Sequence, residues 1–559
     1  MRQHLLPNSS LSGSMTRRTF LTGTAAGLLV PSADGAGSAA GPRARFDLGY
    51  ATATEVSEVI RRKKISAREL LEAIFQRIDR YNPKLNAIVI EFRDRALARA
   101  KEADGALAKG KAWGPLHGVP VTIKEAFAYE GSPNTWGRPE LKGANSPRTA
   151  VAVERLESAG AIVIGKTNIP TGLADIQSFN GIYGTTNNPW DLARTPGGST
   201  GGGGAAVAAG LGPLTLGSDF GGSIRTPAHL CGVYGHKPTV NLVSVAGHQA
   251  GPWDGQTFAT LDVAGLGPGE PLGRSYDLQV AGPLARDGRD LALALSVLGG
   301  PAGDEALAWT WRMPAPRHKR LRDFRIGYVM GQRTVTSPDA PLITVGGASL
   351  TRNEPIASDL LEVYEKLLSA LARAGARLEQ GWPAGIDFKS QIELMTYLGI
   401  SRFNPGEERL KRFRQRLDAN PNDTLALAYA GPHSRWIVET ERQLSFRAAW
   451  QTYFNAHDVF LLPPAATAAF PHDHTEPFWE RRIDTPDGKM TGQDFNYWSV
   501  FASVSGLPAT VAPVGRTRSG LPAGIQIIAP MWEDGTSIEF AALLADLVGG
   551  FVPPPGYEP

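Results

Sequence analysis

Cysteine is nearly absent: Cys231 is the only one in 559 residues. A lone thiol closes no internal disulfide and cannot build a cysteine-ligated metal site. Charge of one sign is missing as well. The 57 Lys and Arg against 54 Asp and Glu leave a net +3, too little, with no long basic stripe, to suggest a nucleic-acid partner. Apolar runs are short; Thr22 to Val30 is about half the length a membrane-spanning helix needs, so stable membrane insertion is not expected. With 42% hydrophobic and 20% charged residues, the chain has an ordinary globular composition and can bury a large core without staples. Only Gly (64) and Pro (42) run somewhat high, and they are spread along the chain, which reads as many tight turns rather than disorder.

Residues 1–40 have their own texture. Thr16-Arg17-Arg18-Thr19-Phe20-Leu21 precedes the Thr22–Val30 run, then Pro31 and a stretch rich in Ala, Gly and Ser. A charged pair, a short apolar core and a small-residue tract make a secretory signal, and the paired arginines resemble a twin-arginine leader. The expectation is export to the periplasm or beyond by the twin-arginine (Tat) machinery, with a mature chain starting near Ala40. Met15, directly before the motif, is an alternative start. Such export carries folded proteins, which suits a large chain without disulfides.

From Thr52 to Lys109 the pattern is helical. Ser66 and Glu69 form a capping box ahead of Ala67–Tyr81, which Asn82-Pro83 is expected to end, and a second amphipathic stretch covers Phe92 to Ala108. Short apolar runs between glycines follow: Val119–Ile123, Ala161–Gly165 and Pro213–Leu216, the first two separated by a helix-like Ala150–Ser158. Strands alternating with helices argue for an α/β layered domain. Past Lys237 the chain reads as loop, then a helix over Asp290–Leu298, a strand over Arg325–Val329, a helix over Leu360–Ala374 and strands at Ala509–Pro513 and Gly524–Ile528. Residues 379–480 are the least regular, with long polar helices and the Pro463-Pro464 turn. With no internal repeat or long linker, 45–559 is read as one domain.

Two glycine clusters carry the chemistry. Residues 195–204 read Thr-Pro-Gly-Gly-Ser-Thr-Gly-Gly-Gly-Gly, and 217–225 read Gly-Ser-Asp-Phe-Gly-Gly-Ser-Ile-Arg. Glycine lets backbone N–H groups approach a ligand closely. A serine hydroxyl beside convergent N–H donors is what attack on a carbonyl requires, because the donors stabilise the oxyanion. A phosphate loop fits poorly, since no Gly-Lys-Ser/Thr closes the first cluster. Gly197–Gly201 matches a Gly-x-Ser-x-Gly nucleophile elbow, but Pro189 to Pro196 before it does not read as the strand that motif needs. His472-Asp473-His474 with Glu476 is read as a solvated loop rather than a metal cluster, and Cys231 as a small buried hydrophobe.

The segment Gly181–Thr239, with Arg194-Thr195-Pro196-Gly197-Gly198-Ser199, Gly221-Gly222-Ser223-Ile224-Arg225 and Cys231-Gly232-Val233-Tyr234-Gly235-His236-Lys237-Pro238-Thr239, resembles the amidase-signature segment. Leu116 to Lys124 resembles that family's catalytic-lysine strand. Gly282-Pro283-Leu284-Ala285-Arg286, Gly506-Leu507-Pro508-Ala509 and Gly520 to Gln526 also match. The likeness runs from about Thr52 to the C-terminus, with 379–480 the exception.

The resemblance implies a single α/β/α domain built on a large mixed β-sheet covered by helices. It implies hydrolysis of a small-molecule carboxylic amide through an acyl-enzyme on Ser223, without cofactor or metal. Ser199 would be the bridging serine, following a cis Gly198–Ser199 peptide, and Lys124 the base. The N–H groups of Phe220, Gly221, Gly222 and Ser223 would form the oxyanion hole, with Thr200, Asp219 and Arg225 in support. Thr200, Glu125 and Gly203 depart from the family's common residues without removing a member of the triad. Lysine acts as a base only when neutral, and burial at the end of an apolar strand pushes it that way. Rival readings are the glutaminase subunit of a tRNA amidotransferase, which an export signal argues against, and a catalytically silent binding protein of the same fold. Residues 379–480 are expected to shape the substrate pocket.

Overall fold

The short apolar runs become strands buried along their whole length. The computed structural model describes residues 48–248, 278–331, 343–345, 348–350, 354–401, 406–476 and 481–557, so the leader lies outside the described residues. Asp47–Pro559 forms one compact unit. Eleven strands make its main sheet: β1 (Ile88–Glu91), β2 (Pro120–Lys124), β3 (Ile162–Thr167), β4 (Leu214–Asp219), β5 (Tyr234–Lys237), β6 (Val280–Ala285), β7 (Arg325–Tyr328), β8 (Arg377–Gln380), β9 (Val459–Leu462), β10 (Ala509–Arg516) and β11 (Pro522–Ile528). Their order is β1-β3-β2-β4-β6-β5-β10-β11-β9-β7-β8. β3-β2-β4 and β9-β7-β8 pair in parallel and the remaining neighbours antiparallel, a mixed sheet. Every residue of β2, β3, β4, β5, β6, β9 and β11 is buried, the signature of strands covered on both faces.

Helix starts follow the capping chemistry. Glu69 N–H donates to Ser66 Oγ at 3.1 Å and Ser66 N–H to Glu69 Oε2 at 2.9 Å. The helix then runs to Leu85, through Pro83. A proline in the last turn forfeits little, and Asn82 Oδ1 accepts the N–H groups of Ala87 and Ile88 as the chain leaves. Strands β1, β5, β6, β8 and β9 were not expected. They are short, lack alternation and exist because neighbouring strands pair with them. The long helices expected within residues 379–480 are present: Phe388–Ser401, Glu407–Ala419, Thr424–Ala430 and His433–Tyr453 precede β9. No helix among the described residues is long and apolar enough to cross a membrane.

Candidate active site

Parallel neighbours β2 and β4 end side by side, and their carboxyl ends deliver Lys124 and Ser218-Asp219 to one place. Crevices at the carboxyl ends of such strands are where open α/β sheets bind ligands. The Gly201–Ala208 helix packs against β2, β3 and β4. Its approach requires glycine: a Cβ on Gly202 would lie 2.4 Å from the Asn168 nitrogen. This close packing sets Ser199, in the turn just before the helix, over the strand ends. The Gly198–Ser199 peptide is cis. No strand precedes the Gly-x-Ser-x-Gly run, so the elbow architecture is not present there.

Lys124 is wholly buried. Its Nζ lies 2.7 Å from Ser199 Oγ, 2.9 Å from Ser218 Oγ and 3.4 Å from the Ser218 carbonyl. Burial lowers its pKa to about 7, against the opposing pull of the Asp219 carboxylate. Asp219 is itself buried but holds its charge. Arg225 Nε and a second guanidinium nitrogen reach it at 3.0 and 2.8 Å, and the Gly222 and Ile224 N–H groups donate to it at 2.8 and 3.0 Å. Burial raises its pKa, but the guanidinium and these N–H donors outweigh that and keep it below the usual carboxylate range. Arg225 also donates to the Ser499 carbonyl, Gln526 Oε1 and Ser503 Oγ, so the loop is tied to the C-terminal segments.

Ser223 sits in the turn this ion pair braces. The Thr200 N–H donates to the Ser223 carbonyl at 3.1 Å and Thr200 Oγ1 donates to the Ser218 carbonyl at 3.2 Å, joining the two glycine segments. Ser199, Phe220, Gly221 and Ser223 all line one cleft of about 400 Å³. Of the four N–H groups expected to converge there, that of Gly222 is directed at Asp219 instead, because the buried carboxylate needs donors. Gly222 has φ +111, and a Cβ on it would meet Thr226 Oγ1 at 2.9 Å, so no other residue fits this turn.

Sequence reasoning missed several residues at the cleft: Ser218, His248, Gln279, Met395, Ile400 and Asn496. Only Ser218 had a signal, its place between Gly217 and Asp219. The residues set aside lie elsewhere. Cys231 packs with Val207, Ile224 and Val511, its thiol pushed up by burial. The ring of His474 stacks on Phe179 at 3.8 Å, Gln177 Nε2 donates to the Asp473 carbonyl, and Arg481 bridges Glu476 and Asp175. Glu125 accepts the Thr135 and Trp136 N–H groups and shapes the loop at the cleft's edge.

A family model described as "Amidase" matches residues 69–538. An acylamidase of Rhodococcus erythropolis is 32% identical over 513 residues, covering 89% of this chain and 95% of that one. A glutamyl-tRNA(Gln) amidotransferase subunit from Bdellovibrio bacteriovorus is 30% identical over 90% of this chain and 99% of that one. In fold, the chain matches a bacterial aryl acylamidase described as belonging to the amidase signature enzymes. The TM-score is 0.67 at 23% identity, over 89% of this chain and 96% of that chain. The chain belongs to the amidase-signature family, and it is an enzyme acting on amide C–N bonds.

Proposed function

We propose that the protein hydrolyses a carboxylic amide to an acid and an amine, or ammonia, through an acyl-enzyme on Ser223. Neutral Lys124 takes a proton from Ser199, and Ser199 takes one from Ser223 as its Oγ attacks the carbonyl carbon. The tetrahedral oxyanion is met by the N–H groups of Phe220, Gly221 and Ser223. On collapse the C–N bond breaks, and the proton returns through Ser199 to the departing amine. Water then attacks the acyl ester by the same route and releases the acid. The observation that carries this reading is the buried Lys124 Nζ at 2.7 Å from Ser199 Oγ, its pKa lowered to about 7.

The cleft favours apolar amides. Trp136, Leu173, Ile176, Phe220, Met395 and Ile400 line it with apolar surface. The test is intact-mass measurement with a slow apolar amide or a fluorophosphonate: an adduct on wild type and none on Ser223→Ala. An adduct that persists in Ser223→Ala and maps to Ser199 sinks the assignment. An intact Lys124, Ser199 and Ser223 speaks against the silent binding protein, and an adduct would exclude it.

Export as a folded protein through the twin-arginine route is proposed on the Arg17-Arg18 motif, and it speaks against a cytosolic amidotransferase role. Replacing both arginines with lysine should strand the enzyme in the cytoplasm. Continued export of that double mutant would rule the route out.

A further inference from the structure

Lys124 must present a lone pair to Ser199, and its other neighbour threatens that. A neutral amine has two N–H donors and one lone pair. Among the described residues its partners are Ser199 Oγ, Ser218 Oγ and the Ser218 carbonyl. The carbonyl only accepts. The Ser218 hydroxyl, at 2.9 Å, can accept from Lys124 or donate to it. If it donates, it occupies the lone pair and Ser199 has nowhere to send its proton. The Ser218 proton therefore needs another acceptor.

His248 Nε2 lies 2.8 Å from Ser218 Oγ, and the Gln279 side-chain nitrogen Nε2 lies 2.6 Å from His248 Nδ1. Resting on the triad reading above, we propose that His248 is a positioning residue that reserves the Lys124 lone pair for Ser199. In the productive arrangement Nδ1–H donates to the Gln279 amide oxygen, and Nε2 accepts from Ser218 Oγ–H. Both Lys124 N–H groups then donate to the two Ser218 oxygens. After proton transfer the ammonium has three donors for three acceptors, and the chain keeps its direction. The opposite direction, with the Gln279 NH₂ donating to Nδ1 and Nε2–H to Ser218, points the serine proton at Lys124 and blocks it. As placed, the Gln279 amide turns its nitrogen to Nδ1; a 180° turn of that amide exchanges its oxygen and nitrogen and gives the productive arrangement.

The ring is held for this work. His248 is buried, with the Phe127 ring 4.7 Å away edge-on and the Trp136 ring at 5.4 Å. Its loop is pinned where Ala128 N–H donates to the Gly247 carbonyl at 2.9 Å and Val151 N–H to the Ala246 carbonyl at 3.2 Å. Gly247 has φ +84, and a Cβ there would lie 2.6 Å from Ala150 Cα, so the turn that aims His248 admits only glycine.

His248 also lines the cleft, so the experiment must separate action through Ser218 from contact with substrate. His248→Phe keeps the ring's bulk without its nitrogens. It should lower kcat by roughly ten- to a hundredfold, the scale of losing an orienting hydrogen bond, with KM nearly unchanged. His248→Gln, whose amide oxygen reaches a similar place, should recover most of the loss and guards against a folding defect, with melting temperature read for each variant. In a Ser218→Ala background His248→Phe should cost nothing further. A full additional loss there, an effect mainly on KM, no loss at all, or no recovery with Gln would each overturn the proposal. Lys124→Ala runs beside them. If it stays active the triad reading itself fails, whereas a dead Lys124→Ala with an unaffected His248→Phe sinks only this inference.

Discussion

Lys124 and Lys237 are both wholly buried, and burial lowers both to about 7. Only their partners separate them. Lys237 Nζ donates to the carbonyls of Pro238 and Leu507, whereas Lys124 Nζ meets the Ser199 hydroxyl. A depressed pKa makes a lysine available as a base; the atom it faces gives it something to deprotonate. On the proposed mechanism the base must be uncharged, and the neutral fraction rises with pH. Wild-type kcat/KM should therefore fall as pH drops through about 7. Lys124 must also return a proton to the departing amine, while an activated aryl ester needs no such help. Lys124→Ala should then damage amide hydrolysis more than hydrolysis of a matched aryl ester, by about a hundredfold or more. Equal losses on both substrates, with the acid limb unchanged in the variant, would reduce Lys124 to a cation that holds Ser199 in place.

At the scale of elements, the site is the meeting of two strand ends and a glycine-rich helix, and the Asp219–Arg225 pair holds the meeting together. Both side chains are fully buried and the pair is saturated with hydrogen bonds. Breaking such a pair from one side leaves a buried charge alone, which costs about 3–5 kcal/mol. Arg225→Ala should lower the urea midpoint accordingly, and an unshifted midpoint would show that the pair braces nothing. Much of this arrangement was legible in the sequence: β2, β3 and β4 are continuous apolar runs, and the two serines sit in glycine clusters whose spacing matches a known signature. His248 and Gln279 were not legible, because they stand in a stretch with no periodicity, and the pairing of β4 with β6 brings Gln279, just before β6, to the end of β4. Strand β5 was hidden for a like reason. Tyr234-Gly235-His236-Lys237 carries polar side chains with partners far along the chain, His236 with Asp534 and Lys237 with the Leu507 carbonyl.

The cleft belongs to the whole molecule, since no single segment encloses it. Trp136 comes from the loop after β2, Phe220 from the turn after β4, and Met395 and Gly399 from the Phe388–Ser401 helix. Asn496 comes from much nearer the C-terminus. The helix is the part the sequence left without a named determinant, because its apolar residues read equally as core. Gly399 lies against the catalytic turn: a Cβ there would lie 3.0 Å from the Phe220 ring. A larger side chain must push that ring or fill the cleft, while leaving Lys124, Ser199 and Ser218 untouched. Gly399→Leu suits a helix by propensity, so its effect should fall on the space available to substrate rather than on folding. Against a series of amides of growing apolar acyl group, kcat/KM should fall by about tenfold or more for the longest members, the scale of a few methylenes in an apolar pocket. The shortest should change little, and the loss should appear mainly in KM. A uniform loss across the series, carried by kcat, would mean that the substitution disturbs the Phe220–Ser223 turn and that the acyl group binds elsewhere.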